Sequence, residues 1–363
     1  LVFATPTKAS DIELKVGIIQ RFGEKSNDKL TLASTNGDLL ILRFLDSNGQ
    51  TQRLRTKQVK LEVVKQPLPA PFVEERLVLS DHATFETAED GAKQWHEKGI
   101  EVEVTQPGRW QVWAKRRIYE TPLLRRWLLK SLKTQGYDEA YLDTTVVSAK
   151  PLVSVVVNGN RYNQNQLLKI DTSKNLIQVV QGKNNQTARV YAGNLILQPN
   201  AYGTFTLVNQ VPLETYLRGV VPYEIGTGAP MNATKAQTII ARTYALRNLR
   251  RFQADNYELC ADTQCQVYYG LSGINSQADR AIAVTKGLVL TYKNELVDAL
   301  YSSTTGGITA AFSDVWNGEE RPYLRSIIDA PNQVWDLSQQ SLDDEETFRR
   351  FISLTEGFNE TGR

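Results

Sequence analysis

The chain predicts an α+β protein, with an antiparallel β-rich body packed against helices and a small inserted α+β module. Three observations predict it. Short runs of alternating apolar and polar residues occupy 11–65 and again 151–210. Between them lies a stretch in which helical and strand patterns interleave. Beyond Pro212, apolar residues recur at three- and four-residue spacing. Period-two alternation marks half-buried strands, and the longer period marks amphipathic helices.

Residues 1–65 read as an N-terminal β unit of the main body. Leu14, Val16 and Ile18 alternate, and apolar runs at Leu30-Leu32 and Leu39-Leu40-Ile41-Leu42 follow, separated by Asn36-Gly37 and Asn48-Gly49. Asn-Gly between apolar runs signals a hairpin. Pro67, Pro69 and Pro71 then predict a stiff linker and a boundary. Residues 70–148 read as the inserted module. Thr87 to Lys98 forms a helix with Thr87 as N-cap and Gly99 as terminator. Ile100-Val102-Val104 and Trp110-Val112 alternate as strands, Leu123 to Leu132 forms a second helix, and Ala140-Leu142 opens a short strand. In element order and length this module resembles a SPOR-type peptidoglycan-binding repeat. A plain two-domain division is the simpler alternative.

Residues 151–335 form the core. Val153-Val155-Val157, Ile177-Val179, Ala188-Val190, Leu195-Leu197 and Thr204-Thr206-Val208 are antiparallel strands. Leu213, Leu217, Val220 and Val221 share a helical face that Pro222 ends or kinks. A loop through Gly226 and Gly228 leads to Asn232, the expected N-cap of a long helix reaching Phe252. Ala233, Ala236, Ile240, Thr243, Leu246 and Leu249 form its apolar side, and Lys235, Gln237, Arg242, Arg247 and Arg250 its polar side. Strands and turns are expected to about Val297, then a hydroxyl- and glycine-rich loop at Ser302–Gly307. Residues 336–363 are a polar tail.

Composition bounds the function. Among 363 residues, 42 Lys and Arg oppose 40 Asp and Glu, so nucleic acid is not an expected partner. No apolar run is long enough for a transmembrane helix. The chain opens on Leu1, and its one methionine is Met231, which predicts a removed signal or anchor, or trimming. Cys260 and Cys265 would form a disulfide in an oxidising compartment, or remain free thiols. The two histidines, His82 and His96, lie far along the chain from them.

That scarcity of histidine leaves a Ser–His–Asp or Cys–His nucleophile without local support. Cys260, Asp262 and Cys265 make a weak metal pattern, so no metal or cofactor is expected. No phosphate-cradling glycine motif is present. Carboxylate chemistry remains. Glu224 stands at a helix–loop junction beside Tyr216 and Tyr223, where apolar surroundings would keep a general acid protonated.

Val211-Pro212-Leu213-Glu214-Thr215-Tyr216-Leu217-Arg218-Gly219-Val220-Val221-Pro222-Tyr223-Glu224, followed by Lys235-Ala236-Gln237 through Ala241-Arg242-Thr243-Tyr244-Ala245, resembles the core of the SpoIID/LytB family. Further blocks follow in the family's order: Cys265–Gly270, Ala281 with Thr285-Lys286-Gly287, Tyr301–Gly307, and Val315-Trp316. The resemblance implies an extracytoplasmic, peptidoglycan-active protein of the periplasm or cell wall. Sporulation members are lytic transglycosylases acting on denuded glycan strands, and the other branch is known as amidase enhancers. It places Glu224 at the catalytic glutamate. Tyr269, Gln266, Ser302 and Thr304 would line the groove, and Lys235, Gln237 and Arg242 would bind sugar groups or brace the site. Some relatives hold zinc with cysteines and histidines near the cysteine block, and the histidines are absent here. The second reading is a non-catalytic wall-binding protein that positions or stimulates an amidase.

Overall fold

A computed structural model describes residues 12–25, 28–182, 188–316, 320–330 and 334–354. It is α+β, with strands dominating the first two thirds. The elements open with β1 (Glu13–Phe22), β2 (Lys29–Ser34), β3 (Leu40–Leu45), β4 (Thr51–Thr56) and the 25-residue β5 (Gln58–His82). Next come α1 (Phe85–Glu97), β6 (Val102–Thr105), β7 (Trp110–Ala114), α2 (Pro122–Thr134) and β8 (Tyr141–Val157). The body continues with β9 (Asn160–Gln164), β10 (Leu168–Thr172), β11 (Leu176–Gln181), β12 (Ala188–Ala192), β13 (Asn194–Pro199) and β14 (Phe205–Pro212).

The strands form two large sheets. One runs β1-β14-β13-β10-β3-β4, with a short parallel strand added beyond β1. The other runs β12-β11-β2-β5-β7-β6, and β8 pairs with β5 and β9. Alternation buries one side of each strand: β3 has Leu40, Leu42 and Phe44 inward and Arg43 out. Leu32 of β2, Leu42 of β3, Val155 of β8 and Leu195 of β13 meet in one shared core. Burial of such side chains contributes about 1.5–3 kcal/mol each.

The proline segment is not a coil linker, because Pro67, Pro69 and Pro71 lie inside β5. There β5 pairs only with β8, so a missing N–H on the free side costs no ladder bond, and the register breaks between Pro67 and Phe72. Beyond this ribbon, β8-β5-β7-β6 is a four-stranded antiparallel sheet in strand–helix–strand–strand–helix–strand order. That is the split βαβ arrangement. A separate cluster around Leu77, Leu79, Trp95, Val112 and Leu132 fills it. Phe85, Ala88 and Trp110 instead join the body's core, so this segment packs against the body.

Local signals resolved differently in several places. Asn36-Gly37, both at positive φ, joins strands of different sheets, whereas Asn48-Gly49 turns the β3–β4 hairpin. Thr84, not Thr87, caps α1 by accepting from the Thr87 N–H. Of Ala140-Leu142, Tyr141 and Leu142 open a 17-residue strand rather than a short one. β9 and β10 had no predicted counterpart.

After β14 the chain forms α3 (Leu213–Arg218), α4 (Val221–Ile225) and α5 (Met231–Arg247), then β15 (Leu259–Cys260) and α6 (Ser276–Val284). A two-residue ladder β16 (Thr291–Tyr292) and β17 (Glu295–Leu296), α7 (Phe312–Val315) and α8 (Glu345–Ile352) complete it. Pro222 opens α4, where its missing N–H costs nothing, and α3 ends at Gly219. α5 starts at Met231 after Pro230 and stops at Arg247, so Asn232 is no cap and Phe252 lies outside. Its buried residues are Thr234, Thr238, Ala241, Arg242, Thr243, Tyr244 and Ala245, so of the apolar stripe read from spacing Thr243 alone is among them. The expected strands and turns after α5 include α6, capped by Asn275. In the polar tail, α8 buries Phe351 against Trp335.

Candidate functional site

Three chain segments meet around Glu224. The first hangs from the sheet: β14 runs directly into α3, and α4 carries Tyr223 and Glu224. The second follows β15, which adds to β1 as a parallel edge strand through Val16↔Leu259 and Gly17↔Cys260. A Cys260–Cys265 disulfide closes the loop after it, so the sheet anchors Gln266 and Val267. Both sulfurs are thereby committed to each other rather than to a metal or to free-thiol chemistry. The third is the extended segment ending at Tyr301.

Glu224 is half-buried. Its Oε1 accepts a 2.7 Å hydrogen bond from the Val267 backbone N–H, and the Tyr301 hydroxyl lies beside the same carboxylate. Tyr301 is set in turn by Gln266, whose Nε2 donates to its oxygen at 3.1 Å while Gln266 Oε1 accepts from the Tyr216 hydroxyl at 3.1 Å. Burial, with the Glu224 carboxylate adding to it, pushes the Tyr301 phenol far above its ordinary value of 10, so it stays a donor. Burial pushes Tyr244 up to about 12 and Tyr216 well above its usual range. The carboxylate therefore sits against neutral hydroxyls and one backbone donor.

Beside it stands an aromatic wall. Tyr223 and Tyr269 meet edge to face at 4.8 Å, and the Arg189 guanidinium lies 3.7 Å over the Tyr269 ring. Tyr223 is 37% exposed. Two glycines permit this assembly. A side chain on Gly219 would come within 2.3 Å of the Gly270 carbonyl, and Gly270 adopts φ +64 against the Val190 carbonyl. α4 and the 265–270 loop can approach only through these positions.

The predicted site residues divide. Glu224, Gln266 and Tyr269 are brought together. Gln266 is 1% exposed, however, so it orients Tyr301 and does not line an open groove. Arg242 has no exposed surface and makes a bidentate pair with Glu214 at 2.8 and 2.9 Å. Its other nitrogen reaches the Leu288 carbonyl, so it braces α5 against α3 and cannot touch a sugar. Ser302 and Thr304 are exposed, and their hydroxyls serve the turn: Ser302 Oγ donates to the Thr304 carbonyl, and Thr304 Oγ1 accepts from Gly306 N–H. Lys235 is half-buried on α5. Gln237, also half-buried, keeps a buried Nε2 without a hydrogen-bond partner among the described residues, two turns before Tyr244 on the same helix face. Tyr301, Tyr244, Arg189 and the Val267 N–H were missed. Tyr301 was within reach, since it opens the hydroxyl-rich block, but a backbone donor leaves no mark in side-chain identity.

A family model described as "Stage II sporulation protein" (SpoIID) matches residues 201–292, which include Glu224, Gln266 and Tyr269. A second, a domain of unknown function (DUF8618), matches residues 310–363. The chain is 40% identical over 131 residues to the amidase enhancer of Bacillus subtilis (strain 168), covering 35% of this chain and 17% of the relative. It is 31% identical over 156 residues to stage II sporulation protein D of the same organism, covering 39% and 44%. An uncharacterized protein of Brachyspira hyodysenteriae is 32% identical over 143 residues, covering 38% and 37%. The chain thus spans less than half the length of these relatives.

Proposed function

For a chain that carries a SpoIID-family domain over residues 201–292, we propose a lytic transglycosylase that cleaves the MurNAc–GlcNAc bond of denuded peptidoglycan strands outside the cytoplasm. The observation that carries this reading is the Glu224 carboxylate, held by the Val267 N–H and flanked by Tyr301, beside the Tyr223–Tyr269 wall. Ordinary glycosidases flank the scissile bond with two carboxylates. One suffices when the nucleophile belongs to the substrate. Glu224, protonated, gives its proton to the glycosidic oxygen, and that bond to C1 breaks. The muramic acid C6 hydroxyl attacks C1, and its proton returns to Glu224. The product ends in 1,6-anhydro-muramic acid, no water is consumed, and the tethered hydroxyl supplies the proximity advantage. The exposed Tyr223 ring offers a face for the sugar, and Tyr301 keeps the carboxylate aimed. Lys235, Gln237, Ser302 and Thr304 are proposed to contact the strand.

The name of the 40%-identical relative favours a second reading, a wall-binding protein that stimulates an amidase partner without cutting glycan. One experiment separates the two. Purified glycan strands, with and without stem peptides, are digested with wild type and with Glu224→Gln, and products are read by mass spectrometry. New anhydro ends from wild type alone support the transglycosylase. Glycan pull-down without new ends from either protein rejects it in favour of the amidase-enhancing reading.

A further inference from the structure

A cleft of about 1630 Å³ lies away from Glu224, between the inserted segment and the core, walled by α1, β6, the turn after β7, the end of α5, the β16–β17 hairpin and residues 321–323. Eight Lys and Arg side chains line it against five Asp and Glu. Four of those carboxylates are spent on arginines: Glu89 on Arg247 and Arg250, Asp90 on Arg321, Glu103 on Arg116, and Asp298 on Arg247 and Arg321. Lys93, Arg117 and Lys293 are exposed and have no ion-pair partner among the described residues, while Glu295 is the one lining carboxylate outside these pairs.

We propose that this cleft is a subsite for an anionic glycan chain, in which Lys93, Arg117 and Lys293 read free lactyl carboxylates. The inference rests on the glycan-strand reading above and deepens it. In a strand stripped of its peptides, each muramic acid ends its lactyl group in a carboxylate; in a peptide-bearing strand that carbon is a neutral amide. A cationic surplus therefore favours the stripped strand. Two further observations support the assignment. Lys293 sits at φ +49 and Asn294 at φ +67 in a two-residue turn. Asn, Asp or Gly normally takes the first of these positions, so a lysine held there carries a conformational cost and places a cation at the cleft. Arg247 and Asp298, both in the cleft lining and paired at 2.8 Å, also lie three residues from Tyr244 and Tyr301 respectively, whose rings meet 6.4 Å apart, so the cleft lining and the surroundings of Glu224 are built on the same two chain segments.

The test uses the whole chain carrying Glu224→Gln, so that probes survive. The probes are a denuded glycan oligomer with free lactyl carboxylates and the same oligomer capped as methylamides. The free acid is expected to bind roughly tenfold tighter at low salt, with the gap closing as salt rises. Combined Lys93→Gln, Arg117→Gln and Lys293→Gln should erase that preference and leave methylamide affinity and melting temperature unchanged. Equal binding of both probes, or a preference surviving the triple substitution, overturns the cleft assignment while the glycan reading stands. Binding of neither probe overturns both.

Discussion

At the scale of single residues, the site depends on what holds Glu224. Tyr301 is the neighbour whose removal is most informative, because burial keeps its phenol protonated and its hydroxyl, beside the carboxylate, is available as a donor. Tyr301→Phe deletes that donor and leaves the ring packed on Tyr244. Under the transglycosylase activity proposed above, turnover of glycan strands should fall about tenfold to a hundredfold with little change in KM. Unchanged turnover would mean that the Val267 N–H alone positions the acid. Gln266 works one step further out, tying Tyr216 to Tyr301, and its burial explains why it serves the donor and not the substrate.

At the scale of elements, α5 is the piece whose sequence misleads. Its inward face carries threonines and an arginine, because the helix packs on polar partners. Thr234 accepts from Gln277, Thr238 donates to the Thr234 carbonyl, and Arg242 forks onto Glu214 of α3. Arg242→Met should cost about 3 kcal/mol in urea unfolding, since it leaves a carboxylate unpaired in a largely buried place. Glycan affinity, corrected for the folded fraction, should hold. A direct loss of affinity with stability intact would return Arg242 to the substrate side. The disulfide-tied loop belongs to this scale too: β15 is only two residues long, yet it fixes the segment that delivers the Val267 N–H.

At the scale of the whole molecule, the inserted segment is fastened to the body by Trp110, which meets Phe252 and is backed by Phe85, and by α1 carboxylates on arginines of α5 and the turn after it. Within that segment His82 lies where β5 meets α1, its Nε2 2.9 Å from Ser80 Oγ and its ring against Gly91. Burial holds it below the ordinary histidine value of 6.5; Arg109 adds to this and Asp81 opposes it. With the folded value lowered, the unfolded chain takes up the proton first. The stability His82 contributes above pH 6.5 is therefore lost as pH falls through the folded value. The stability difference between wild type and His82→Gln should be steady above pH 7 and shrink toward pH 5. A difference that stays flat across that range would show that His82 does not couple to folding. Among the described residues no helix is long and apolar enough to cross a membrane.

The sequence by itself determined the α+β class, the strands with strict alternation, the order of helices and strands in the inserted segment, and Glu224 as the carboxylate to examine. Those features are local: period-two and period-3.6 patterns, and contiguous motif blocks, are written in neighbouring residues. Only the tertiary structure decided that the proline run belongs to a ribbon, that Asn36-Gly37 links two sheets, that Arg242 is buried, and that the Val267 N–H holds Glu224 beside Tyr301. Each depends on partners tens to hundreds of residues away, and a residue's own type does not record whether a strand edge is free, a carboxylate waits across a helix pair, or a backbone donor points into the site.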